Sequence, residues 1–235
     1  MSEQKIKRIW ELDAFRGFCI IGVIIVHLVY DLRMFFGIFT DTHPVFDFIQ
    51  QNGGILFVVL SGICITLGRH NIKRGLLVAA GALVITLVTT LMGGGVQIYF
   101  GVLHLLALCM LTYGIYKKLP PVLTLVIGTT IVITGYWFMT FTVNNPYLFP
   151  LGLLAKGFYS ADYFPIFPYL GFFMIGTFLG KTIYKKKETL FPKVNEENII
   201  VRFFSWCGRM SFFIYLGHQP ILYGACLLVY TLINK

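Results

Sequence analysis

The chain has 235 residues, of which 57% are hydrophobic and only 12% charged, with a formal net charge of +9. A soluble domain carries about 25% charged residues, so this composition excludes an ordinary soluble enzyme and describes a membrane protein. The length holds about seven spans of ~20 residues with short loops, as one domain over residues 1–235 and no separate soluble one.

In chain order, the opening MSEQKIKRIWELD does not read as a cleavable signal peptide. The apolar run behind it is long enough to span, and no small-residue cleavage site follows. Apolar runs then predict spans at 15–36, 46–68, 75–92, 97–116, 121–141, 163–184 and 210–233. Alternating these spans across the membrane sorts the loops to two sides. One side collects sixteen Lys and Arg residues, Arg16, Arg69, Lys73, Lys118 and Lys186 among them; the other holds only Arg33, Lys156 and Lys235. Positive charge is retained in the cytoplasm, so the expected fold is an all-α integral membrane protein. It is a polytopic bundle of about seven transmembrane helices, with the N-terminus cytoplasmic and the C-terminus outside. The basic collar accounts for the net charge without nucleic-acid binding.

Three outer segments are expected to be structured: 37–48 with Asp41, His43 and Asp47, the Gly93–Gly95 corner, and the long aromatic and proline-rich stretch 144–168. The last has the character of a lid or a re-entrant segment. The longest cytoplasmic loop, 185–202, is charged and expected to be mobile. No internal repeat of the kind found in many transporters is visible.

The first span carries the main chemical signal, in LDAFRGFCIIGVIIVHLVYD. At 100° per residue, Asp13, Arg16, His27 and Asp31 fall within about 60° on one helix face. Ionisable groups in lipid cost several kcal/mol unless paired or hydrated, so such a stripe marks a site more often than it marks packing. A carboxylate one turn beyond a histidine can fix its tautomer, which is the arrangement of an oriented general base; the competing reading is a hydrogen bond between spans. Asp13 and Arg16 lie at the cytoplasmic mouth. They serve either to anchor the helix or to contact a phosphate or carbonyl of a cytosolic substrate.

Further along, His43 stands in the outer loop before Pro44 and Asp47. His104, in YFGVLHLLALCML, sits among apolar residues and suits either interhelical bonding or the lining of a site. In GRMSFFIYLGHQPILYG, Ser211, Tyr215 and His218 share one face, and Pro220 cannot donate to the carbonyl of Leu216. A kink beside a mid-membrane histidine suggests a cavity. His70 reads as a loop residue. Cys19, Cys64, Cys109, Cys207 and Cys226 are scattered through apolar runs and imply packing, neither disulfides nor a metal. There is no Gly-rich phosphate loop, no GxSxG and no HExxH.

Together, LDAFRGFCIIGVIIVHLVYD, GVLHLLAL and MSFFIYLGHQPILY resemble the heparan-alpha-glucosaminide N-acetyltransferase catalytic-domain-like family, over nearly the whole chain. The spacing of Arg16 and His27 also looks like a motif of the broader membrane acyltransferase-3 class. The resemblance implies transfer of an acetyl group from cytosolic acetyl-CoA, as co-substrate, to a sugar or similar hydroxyl or amine acceptor at the outer side of the membrane. By carry-over, His27 matches the acyltransferase-3 histidine. In the lysosomal enzyme that place looks like an asparagine, and the catalytic histidine lies in the following outer segment, where this chain has His43. The sequence therefore offers two bases, His27 and His43, with Asp31 as partner, and Asp13, Arg16, His104, Tyr215 and His218 as candidate contacts for the donor. The implied partners are the lipid bilayer, of a bacterial plasma membrane, and a carbohydrate or glycan-like acceptor. An apolar outer face suits lipid and a second copy of the chain equally.

His27 lies about 18 Å along the helix from Phe15, past the middle of a ~30 Å hydrocarbon core. A long pantetheine arm reaches that depth while its phosphates stay at the collar. Direct attack and a route through an acetyl-histidine both fit. The competing class is a small-solute transporter or flippase using the His/Asp stripe as a proton relay, which matched broken helices would favour.

Overall fold

Helices follow one another along almost the entire chain in a computed structural model that describes residues 8–34, 37 and 43–233. They are α1 (Trp10–Met34), α2 (Pro44–Leu67), α3 (Asn71–Met92), α4 (Val102–Tyr116), α5 (Pro121–Phe138), α6 (Ile166–Thr182), α7 (Ile199–Arg209) and α8 (Ser211–Ile233). Five of them, α1, α2, α3, α5 and α8, are long and apolar enough to cross a membrane. With no water in the hydrocarbon, each such segment must satisfy its own backbone, and a helix does so internally. Helices α4 and α6, also read as spans, have 15 and 17 residues. At ~1.5 Å per residue α4 is about 22 Å long, short of a ~30 Å core.

The chain forms two compact units, Met1–Phe57 with Lys187–Lys235, and Val58–Lys186. In the first, α1 packs against α7 and α8. The contact with α7 depends on two small residues. A Cβ on Gly17 would collide with the carbonyl oxygen of Phe204, and one on Gly208 with that of Asp13. Small residues let backbones approach closely where no water drives helices together. Ile20, on the same side of α1, is fully buried.

Two elements here differ from the sequence reading. The end of the stretch 185–202 and the residues before span seven form a separate helix, α7, with Asn198 capping it by accepting the Ile200 N–H at 2.9 Å. The rest of that stretch is tied to α1, because Glu11 accepts from the Thr189 hydroxyl and the Leu190 N–H, both at 2.8 Å. A carboxylate in the first turn of α1 thus holds a segment expected to be mobile.

In the second unit, α3 packs on α4, α5 on α6, and α4 on α6. The part of α2 from Val58 onward meets α6 through Gly62 and Gly176, whose added Cβ atoms would strike Phe173 and Val59 carbonyls. The predicted start of span four at residue 97 lies five residues too early. Residues 97–100 are not helical and bond the outer segment instead: Ala161 N–H donates to Gln97 O at 2.9 Å and Phe164 N–H to Phe100 O at 2.8 Å. The 144–168 stretch contains a 3-10 turn (Pro146–Leu151) and a short strand, β2 (Leu154–Ala155), which pairs in parallel with β1 (Thr142–Val143) just before the stretch. Of the outer segment 37–48, Asp41 and its neighbours 38–40 and 42 lie outside the described residues.

Candidate functional site

Helix α1 carries His27 and Asp31 one turn apart, and α8 carries Tyr215, His218 and Gln219 opposite them within the same unit. The structure brings His27 and His218 together. Their ring centroids are 4.8 Å apart, edge against face at 63°. Asp31 is fully buried, His218 is 8% exposed, and His27 and Gln219 are half-buried. The polar stripe of α1 thus meets a second polar stripe on an otherwise apolar helix.

Hydrogen bonds fix much of the cluster. The amide nitrogen of Gln219 donates to Asp31 at 2.8 Å to Oδ1 and 3.1 Å to Oδ2. Asp31 has therefore found its partner on α8; among the described residues no hydrogen bond joins it to His27, the partner proposed from the one-turn spacing. His218 Nδ1 lies 2.7 Å from the Tyr215 carbonyl oxygen. A carbonyl only accepts, so Nδ1 carries the proton and Nε2 keeps its lone pair. Among the described residues that Nε2 is buried without a hydrogen-bond partner, and so is Gln219 Oε1. Both open atoms are acceptors, so what enters this cluster must bring N–H or O–H groups.

The other candidates occupy different settings. Arg16 and Asp13 are half-buried on α1, with Arg16 about 17 Å along the axis from His27. Tyr215 is half-buried, its ring 5.3 Å from that of His218. His43 is exposed at the start of α2, where its Nδ1 accepts the Val45 N–H at 3.3 Å. His104 belongs to the second unit and has both ring nitrogens engaged. Its Nδ1 accepts the Gly101 N–H at 3.2 Å, so Nε2 donates to the Thr86 hydroxyl at 3.0 Å, which itself donates to Ile98 O at 2.8 Å. Asp162 completes the start of α4 by accepting the Val102 N–H at 3.0 Å, a carboxylate at a helix N-terminus. His104 thereby ties α3 to the entry of α4. Gln219 was not singled out in the sequence; the available signal was a polar side chain beside His218 in an apolar span.

The family model described as heparan-alpha-glucosaminide N-acetyltransferase, catalytic, matches residues 8–220. The match takes in α1 and the α8 residues of the cluster. No curated protein and no solved structure matches the chain. The chain belongs to the heparan-alpha-glucosaminide N-acetyltransferase catalytic family, a family of membrane acetyltransferases.

Proposed function

From this family membership we propose that the protein moves an acetyl group from cytosolic acetyl-CoA to a hydroxyl or amine acceptor, sugar-like in character, at the outer side of the membrane. The observation that carries the reading is the His27–His218 contact, beside a fully buried Asp31, inside an apolar helix pair. Histidine is the side chain whose ordinary range suits proton transfer near neutral pH. The half-buried His27 takes the proton as the acceptor oxygen or nitrogen attacks the thioester carbonyl. The carbonyl then re-forms, the C–S bond breaks, and the proton passes to the departing thiolate to give free CoA. Arg16 and Asp13, nearer the basic collar, suit contacts to the polar end of the donor, since a guanidinium pairs well with phosphate. His43 remains a second base to be tested against His27.

Thermal unfolding of the detergent-solubilised protein tests the donor. A ligand at 100 times its dissociation constant stabilises by ~2.7 kcal/mol, worth about 5–11 °C for a chain of this size. Acetyl-CoA should produce such a shift, salt should reduce it, and Arg16→Ala should weaken it. No shift at millimolar acetyl-CoA refutes the reading. Release of CoA in the presence of amino sugars then measures transfer, which His27→Ala should abolish while the acetyl-CoA shift persists. If His43→Ala stops turnover and His27→Ala does not, the base is in the outer segment.

A further inference from the structure

The two rings of the cluster are not equivalent. His27 is half-buried and can meet a substrate, whereas His218 is 8% exposed and stands behind it with its tautomer set by the Tyr215 carbonyl. We propose that His218 is the positioning residue of this site: its Nε2 lone pair receives the N–H on the His27 nitrogen turned away from the acceptor, which leaves the other His27 nitrogen free to take the acceptor's proton and holds the resulting imidazolium against α8. This rests on the acetyl-transfer reading above.

Three observations converge on it. First, Nε2 is a buried acceptor without a partner, a costly state that buried polar groups rarely show. Second, the ring in contact with it is His27, at a centroid separation of 4.8 Å. The torsion that turns an imidazole about its Cβ–Cγ bond is broad, so His27 can direct an N–H at Nε2 without leaving its rotamer. Third, the buried carboxylate is bonded to Gln219 and among the described residues has no hydrogen bond to His27, whose ring contact is with His218. The negative charge of Asp31 still acts on the imidazolium through the apolar surroundings, where charges are poorly screened. Gln219 fixes where that charge sits. Nothing is consumed in this step. His27 carries the proton from the acceptor to the CoA thiolate, and His218 is unchanged at the end.

Two substitutions separate this role from simple anchoring. An asparagine places its amide near Nδ1 and can keep the bond to the Tyr215 carbonyl, but it offers nothing at Nε2. A glutamine reaches the Nε2 position with a carbonyl oxygen and keeps the acceptor. His218→Asn should lower kcat for acetyl transfer by about 10–100-fold, the worth of a hydrogen bond to a charged group, with the KM for acetyl-CoA little changed. His218→Gln should recover most of that loss. Equal loss in both, or better activity in His218→Asn, overturns the assignment. Nitrogen NMR of histidine-labelled wild-type protein in nanodiscs gives a readout independent of turnover and of variant folding. His218, identified by the signal missing from His218→Gln, should show a protonated Nδ1 and a bare Nε2; a proton on Nε2 overturns the proposal. Should the wild type transfer no acetyl group, the function reading fails, while the NMR result still decides whether His218 presents the acceptor.

Discussion

Replacing Gln219 by leucine removes the one side-chain donor that, among the described residues, bonds the carboxylate of Asp31. The same amide nitrogen serves both oxygens, at 2.8 and 3.1 Å, so it counts as one charge-assisted hydrogen bond shared between two acceptors. Asp31 has no solvent exposure, and water does not take over. Hydrogen bonds to charged groups contribute about 1.5–3 kcal/mol, and stranding the acceptor costs its desolvation as well. At ~2–4 °C per kcal/mol for a chain of this length, Gln219→Leu should unfold about 3–12 °C below wild type. Fluorescence-monitored thermal unfolding in detergent measures this. The double variant Asp31→Leu/Gln219→Leu should recover much of the loss, because removing both partners leaves no buried group unsatisfied. Asp31→Asn, which still offers a carbonyl oxygen, should cost less than Gln219→Leu. An unchanged unfolding temperature in Gln219→Leu, or a double variant as unstable as the sum of the singles, refutes the bond and with it the α1–α8 register that places His27 against His218.

Other parts of the fold are open to the same kind of measurement. Gly208→Ala forces a methyl group against the Asp13 carbonyl and must push α7 off α1, at a cost of about 1–3 kcal/mol in thermal unfolding; a neutral result would show that the two backbones are not in contact. Thr86→Val keeps the shape but removes the hydroxyl between His104 and Ile98 O, and should cost about 1–3 kcal/mol, while Thr86→Ser should cost less. Single cysteines at 73, 118 and 186 in a cysteine-free background should label from the cytoplasm, and those at 41 and 156 from outside. Labelling of position 186 from outside sinks the seven-span topology.

Apolar run length made the long helices readable, since a 20-residue hydrophobic stretch has little else to do in a membrane. The positions of α1, α2, α3, α5 and α8 follow it within a few residues. What it missed depends on other parts of the chain. The first residues of predicted span four stay out of the helix because 160–164 supplies them with hydrogen-bond partners about sixty residues away. Helix α7 is short and amphipathic, with Ile200, Phe204 and Cys207 recurring at helical spacing; a search for spans passes over it and leaves its start, 199–202, in a charged loop. The α1 stripe was visible from the 100° rule, but the partner of Asp31 was not. Spacing within one helix pointed to His27, whereas the bond crosses 188 residues to Gln219. Periodicity tells which side of a helix is polar and not which helix that side faces.

Two histidines in apolar helices, His104 half-buried and His218 buried, show the difference between a structural role and a poised one. His104 has a partner on each ring nitrogen, one from its own helix start and one from α3. Its hydrogen-bonding capacity is used up in holding two elements together, as expected of a polar group whose work is packing. His218 has one nitrogen anchored just as firmly, to Tyr215, while the other is left open against the ring of His27. Leaving a buried acceptor unmade costs about 1–3 kcal/mol. A site that only joined α1 to α8 would be more stable with leucine there, since the helix pair is otherwise apolar. The open nitrogen gains a partner when His27 turns its own N–H to it, and that bond strengthens when the opposite His27 nitrogen takes a proton and the ring becomes charged. The bond is therefore worth most during proton transfer, which is why the cluster reads as chemistry and not as glue.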